Sequence, residues 1–207
     1  GALLVHYSTD YVFDGLEKRP YKEEDETNPA TVYGKSKLKG EAYIQSTGCR
    51  FVILRTSWVI SAIGKNFIKT ILKHALNKDK LKVVNDQIGA VTSAELIGQV
   101  TEDLIKRDAV TQVDSGIYHL CSSGKGSWFD VAVYAIKRAS EKGISLRCSA
   151  SNVEPVSSDE YPTRAKRPPN SRLNTEKLQR IITHPIPTWK KCVDGTIDEL
   201  IIKDFLK

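Results

Sequence analysis

A tyrosine and a lysine four residues apart, in the run Tyr33-Gly34-Lys35-Ser36-Lys37, form the pair in this chain best suited to moving a proton. At 3.6 residues per helical turn their side chains share a face, one above the other. A free phenol, with a pKa near ~10, is a poor acid or base at neutral pH, and a neighbouring ammonium favours the phenolate. At an effective dielectric of about 20, unit charges ~4 Å apart interact by roughly 4 kcal/mol, enough to matter for such a transfer. Alone, the spacing is common, and elsewhere it is a solvated lysine beside a half-buried tyrosine. It gains weight from the stretch upstream, Leu3-Leu4-Val5-His6-Tyr7-Ser8-Thr9-Asp10-Tyr11-Val12-Phe13, an apolar run passing into a hydroxyl- and carboxylate-rich end. Ligands of open α/β sheets bind beyond the carboxyl ends of the strands. Thr9 stands at such an end and delivers a hydroxyl where the Tyr33 phenol can point.

The elements that must position this group follow from hydrophobic periodicity. Residues 3–8 read as a buried parallel strand. Residues 14–31 read as a charged loop, with Glu23, Glu24, Asp25 and Glu26 as solvated surface. The helix bearing Tyr33 and Lys37 follows Asn28-Pro29 and runs to about Thr47, where Gly48 stops it. Residues 50–55 form a second buried strand, and two parallel strands joined by a helix make a right-handed crossover. Thr9 and Thr56-Ser57-Trp58 are therefore expected to open onto one cleft with Tyr33, where Trp58 is either a core tryptophan or a flat wall for a sugar ring. Beyond them the pattern predicts a helix over 66–76, a strand over 81–84 and a helix opened by Ser93. A strand over 117–121 follows, in which His119 reads as a structural histidine, and then a helix capped by Ser127. Residues 147–172 read as loop, with Arg164, Lys166, Arg167 and Arg172 near Asn170 and Ser171, a stretch that is either solvated or phosphate-binding. A short helix over 174–181 and a last one over 189–205 complete the chain.

Composition narrows the classes. The 207 residues are long enough for one domain with a sizeable core or for one and a half small ones, and 40% hydrophobic with 27% charged residues is ordinary globular usage. The net charge is +6, but Lys and Arg alternate with Asp and Glu, so no basic stripe argues for nucleic acid; an anionic small substrate suits the excess as well. The four cysteines are widely separated and have no zinc-ligand spacing with the histidines, which fits reduced thiols in a cytoplasmic protein. No apolar run reaches the ~18 residues of a membrane span, and no signal peptide opens the chain.

Several stretches together resemble the extended short-chain dehydrogenase/reductase superfamily, and within it the dTDP-4-dehydrorhamnose reductase family. They are Ser8-Thr9-Asp10-Tyr11-Val12-Phe13, Val32-Tyr33-Gly34-Lys35-Ser36-Lys37 and Arg55-Thr56-Ser57-Trp58-Val59, followed by Asn85-Asp86-Gln87 with Gly89-Ala90 and Thr92, and Arg167-Pro168 with Asn170-Ser171, Leu173 and Asn174. The resemblance covers nearly the whole chain. It implies an α/β fold: the C-terminal part of a Rossmann-like, doubly wound parallel sheet plus a smaller α/β substrate-binding domain. Residues 1–60 would belong to the first and 61–207 mainly to the second, with about 81–110 returning to the first.

The resemblance also implies reduction of dTDP-4-dehydro-L-rhamnose to dTDP-L-rhamnose by NADPH or NADH, a step of nucleotide-sugar and surface-polysaccharide biosynthesis. Tyr33 would protonate the forming alkoxide. Lys37 would tune Tyr33 and, with it, hold the cofactor, while Thr9 would hydrogen-bond the carbonyl oxygen. Thr9, Asp10, Tyr11, Trp58, Arg167 and Asn170 would line the substrate site. A homodimer bridged by Mg2+ is implied, with Glu95 and Glu199 as ligands together with one acid from the N-terminal part of the pattern that is missing here. A rival that shares the Ser8-Thr9-Asp10-Tyr11-Val12-Phe13 stretch and the Tyr33 and Lys37 spacing is the NADP-binding regulatory subunit of methionine adenosyltransferase, against which the stretches at 55–59 and 85–90 favour the reductase, and an inactive fragment is a third reading. The chain holds no methionine and no Gly-x-x-Gly-x-x-Gly turn for a pyrophosphate; Gly124-Lys125-Gly126-Ser127 is the nearest approach. On this reading roughly the first hundred residues of the family pattern are missing, and the isolated chain is expected to turn over negligibly.

Overall fold

Alternation of β-branched runs with amphipathic segments yields an α/β chain. The computed structural model describes residues 2–161, 167–203 and 205. In chain order the elements are β1 (Leu3–Thr9), α1 (Val32–Ser46), β2 (Arg50–Thr56), β3 (Val59–Ile60), α2 (Phe67–Asn77), β4 (Leu81–Val84), β5 (Ile88–Gly89), β6 (Thr92–Ser93) and α3 (Ala94–Thr111). Then follow β7 (Gly116–Leu120), β8 (Gly126–Ser127), α4 (Trp128–Glu141), β9 (Val153–Val156), α5 (Glu176–Gln179) and α6 (Trp189–Ile202). A 3-10 turn, Asp10–Val12, follows β1 directly.

The chain divides into two compact units, the first comprising Gly1–Ser57, Glu95–Cys121 and Arg164–Ile186, the second Trp58–Ala94, Ser122–Thr163 and Pro187–Lys207. The first unit is built on a parallel sheet of order β1-β2-β7. Its register pairs Thr9 with Thr56 and Thr56 with Leu120, so three strands end in one row. The interior of β2, Val52, Ile53 and Leu54, is wholly buried, as a parallel strand covered on both faces must be. Beyond the strand ends lies a cluster of Val12, Phe13, Tyr21, Cys121 and Leu173, with Leu38 of α1 packed against it. Phe13 and Tyr21 stack there at 4.2 Å. The return to this unit spans 95–121, later than the expected 81–110, and a second return at 164–186 is added. The reason is β4: it pairs with β9, inside the second unit, and so holds 81–84 there.

The second unit is a helical layer with small sheets. α4 packs against both α2 and α6. It buries Val131, Ala132, Ala135, Ile136 and Ala139 along one stripe, and its start is fixed by a capping box between Ser127 and Asp130. Where a loop is expected over 147–172, residues 153–156 form β9, parallel to β4. The strand escapes periodicity because it is four residues long and contains Pro155, which a two-stranded sheet tolerates at its edge. The helices expected over 174–181 and 189–205 are shorter, Glu176–Gln179 and Trp189–Ile202. Among the described residues no helix is long and apolar enough to cross a membrane.

Candidate active site

The site in the first unit is built where β1 ends and α1 begins. Thr9 closes β1 and caps the 3-10 turn: its Oγ1 accepts from the Tyr11 amide at 3.2 Å and donates to Asp10 Oδ1 at 3.1 Å. Asp10 is 4% exposed, and this burial pushes its carboxyl up to about 6, with hydrogen bonding from Ser171 and Thr9 pulling the other way. Asp10 Oδ2 and Ser171 Oγ are buried neighbours that couple without forming a well-shaped hydrogen bond. Tyr11 follows, its phenol raised by burial and by the Asp10 charge and drawn back by the charge of Arg167.

α1 starts at a Thr31 cap, whose hydroxyl accepts from the Gly34 amide at 3.0 Å. Tyr33 sits in the first turn, 55% exposed, edge-on to the Tyr11 ring at 5.9 Å. Among the described residues its hydroxyl has no hydrogen-bond partner. Gly34 is buried against the 3-10 turn, and a Cβ there would collide with the Tyr11 carbonyl oxygen. Glycine at this position is thus a condition for α1 to lie where it does. One turn on, the Lys37 ammonium donates to the Tyr7 carbonyl at 2.5 Å and lies 3.3 Å from His6 Nε2. His6 is held below its ordinary pKa by burial first and by Lys37 second, so it faces the ammonium as a neutral ring. Lys37 is therefore anchored to β1.

Asn170 is buried, and its amide is spent inside the protein. Nδ2 donates to the carbonyls of Glu17 (2.7 Å) and Arg19 (2.9 Å), while Oδ1 accepts from Arg172 N and Nε. It ties two loops together, with all its hydrogen-bonding capacity used. The second return thus brings Arg167, Asn170 and Ser171 to the unit that carries Thr9, Asp10, Tyr11, Tyr33 and Lys37.

Trp58 belongs to the second unit. Its indole stacks on Trp128 at 3.7 Å and 13°, so one face is already covered. Its backbone is left-handed, with φ at 48°, a conformation uncommon for an aromatic residue. Gly89 makes room for the ring, since a Cβ there would meet the indole at 2.7–3.0 Å. Lys125 lines a cleft of about 630 Å³ with Lys137, Tyr134 and Trp189, which is where the nearest glycine-rich turn falls.

Glu95, exposed, accepts from Gln99 Nε2 at 3.3 Å; Glu199 lies 3.7 Å from Lys203 on α6. The two are assigned to different units. Among the described residues no three His, Cys, Asp or Glu side chains converge as a metal ion would require. The nicotinamide end of a dinucleotide is another matter. A partnerless exposed phenol and an anchored ammonium on one helix fit its ribose hydroxyls, whereas no glycine turn of the 207 residues matches its pyrophosphate.

The sequence profile described as the RmlD substrate binding domain matches residues 1–202. The chain belongs to the RmlD substrate binding domain family. Among its relatives is the dTDP-4-dehydrorhamnose reductase of Escherichia coli K12, 44% identical over 201 residues, which cover 97% of this chain and 66% of that protein. This chain thus spans just under two thirds of that relative's length. A crystal structure of dTDP-4-dehydrorhamnose reductase from Bacillus anthracis in complex with NADP superposes with a TM-score of 0.84 at 31% identity, over 96% of this chain and 66% of that one. The Clostridium acetobutylicum ortholog gives a TM-score of 0.84 at 35% identity, over 97% and 67%. The RmlD family thus joins the α/β architecture seen here to reductases of known structure.

Two features of the site went unread in the sequence. Glu41 and Arg55 form a buried ion pair beneath the site, and His6 meets Lys37. A signal for the first existed: Glu41 lies one turn beyond Lys37, on a helix with few apolar positions.

Proposed function

We propose that this chain carries the proton-donating centre of a dTDP-4-dehydrorhamnose reductase, acting on dTDP-4-dehydro-L-rhamnose to give dTDP-L-rhamnose. One observation carries the reading: an exposed Tyr33 phenol, its hydroxyl without a hydrogen-bond partner among the described residues, stands in the first turn of α1, against the 3-10 turn capped by Thr9, with Lys37 anchored one turn below. NADPH or NADH would supply the hydride, and Tyr33 and Lys37 would hold its ribose. Tyr33 gives its proton to the oxygen of the reduced ketone. The Lys37 ammonium, held by the Tyr7 carbonyl, reaches no farther than the β1 backbone allows. Thr9 supplies a second donor at the developing oxyanion by turning its hydroxyl from Asp10 to the substrate. Asp10, Tyr11 and Arg167 line the sugar nucleotide; Asn170 serves them by fixing the loop that carries Arg167. The names of the relatives favour this over an NADP-binding regulatory subunit.

The natural gene product is mixed with dTDP-4-dehydrorhamnose and NADPH or NADH, and nicotinamide absorbance is followed. Turnover in the parent and a fall of about 10²-fold or more in Tyr33→Phe are expected. Undiminished turnover in Tyr33→Phe overturns the assignment of the donor, and no turnover in the parent with either nucleotide overturns the activity.

A further inference from the structure

α1 has an unusual way of lying on its sheet. Of its fifteen residues only Gly34 and Glu41 are buried. They are seven apart, two turns, and so share one face, about 10 Å from each other along the axis. Gly34 sets how close the helix comes to the 3-10 turn, by its missing Cβ. Glu41 meets Arg55 of β2: Nε donates to both carboxylate oxygens at 3.0 and 3.2 Å, and Nη2 donates to Oε2 at 2.6 Å. The carboxylate is 0% exposed and the guanidinium 3%. Arg55 is itself seated over the Phe13 ring at 5.1 Å. His119, buried nearby, stays neutral, held down to about 3 by burial and then by the Arg55 charge.

An apolar stripe lets a helix slide by fractions of an ångström at little penalty. A planar fork on a carboxylate does not, because two hydrogen-bond directions must be kept at once. Glu41 is one turn beyond Lys37 and two beyond Tyr33, so any rotation or slip at the fork is carried rigidly to both. A displacement near 1 Å at a reacting group can change rate by about 10²-fold. Resting on the reductase reading above, we propose that Glu41 and Arg55 are positioning residues of the site: their buried fork fixes the rotation and axial setting of α1, and thereby where Tyr33 and Lys37 present their proton and charge.

The test pairs Glu41→Met/Arg55→Met, which replaces the ion pair by apolar volume, with Arg55→Lys, which keeps the charge but removes the fork. Melting temperature and far-UV circular dichroism report folding. Hydrogen exchange of the α1 amides reports the seating of the helix. kcat and KM report the chemistry. Expected are a folded double variant melting near the parent, α1 amides exchanging at least about tenfold faster, and kcat lowered at least about tenfold with KM within about twofold. Arg55→Lys is expected to move the same way, by less. Parent-like exchange and kcat in a folded double variant overturn the proposal. Failure of both variants to fold also overturns it, since the pair is then a folding element only. If the parent has no turnover, the reductase reading has failed, and exchange in α1 still decides the seating.

Discussion

Helices α1 and α4 are fifteen and fourteen residues long and are docked by opposite means. α4 presents five apolar side chains in a stripe and is capped by a reciprocal Ser127–Asp130 box. α1 buries one glycine and one glutamate, and it carries Tyr33 on its exposed side. A stripe of alanine and branched aliphatics is forgiving: burial is non-directional and roughly proportional to area. A close backbone approach and a fork of hydrogen bonds are unforgiving, and they fix a position. The helix that bears Tyr33 and Lys37 is thus held by directional contacts, while α4 is held by area.

The comparison can be broken most readily at the ion pair. Glu41→Gln alone should lower stability by about 3–5 kcal/mol, because Arg55 is left charged in the interior, and urea denaturation measures it. A loss smaller than that from the α4 substitution described below would reverse the contrast. Gly34→Ala should lower stability by about 1–3 kcal/mol or more, since the added methyl meets backbone that cannot swing aside.

Asp10→Asn should act in the other direction. The folded carboxyl keeps its proton up to about 6, against an ordinary value of 3.8. Its contribution to stability is whole below pH 3.8 and is lost as pH rises through about 6. At pH ~8 the buried charge costs up to about 3 kcal/mol, so the amide should stabilise by about 1–3 kcal/mol there and change little near pH ~3.5, as paired denaturation curves would show. Ile136→Val on α4 should cost about 0.5–1.5 kcal/mol and leave kcat alone. Glu95→Gln, on an exposed helix surface, should stay within about 0.5 kcal/mol of the parent by thermal melt.

The parts legible in the sequence were those with a period or a spacing. Val52-Ile53-Leu54 read as part of a buried strand and Ser127 as the cap of a helix, and both stand so in the fold. Tyr33 and Lys37 were visible because four residues is one turn. Contacts between residues remote in the chain have no such mark. Glu41 and Arg55 are fourteen residues apart on different elements, and either alone reads as a surface charge. Asn170 looked like a ligand-binding amide because its partners, the carbonyls of Glu17 and Arg19, are about 150 positions away and backbone carbonyls leave no sequence signature. β9 was hidden by Pro155, which argues against a strand unless the strand is known to lie at an edge.

All three tryptophans, Trp58, Trp128 and Trp189, lie in the second unit, and two of them are stacked. The first unit, which carries Tyr33 and Lys37, has none. Indole emission therefore watches one half of the molecule, and the coupled transitions of the Trp58–Trp128 pair should give that half a signed band in the near-ultraviolet dichroism. Tyrosine signals from Tyr7, Tyr11, Tyr21, Tyr33, Tyr43 and Tyr118 come from the other half. Unfolding traces at the two wavelengths would coincide if the halves melt together and separate if they do not, with no label added.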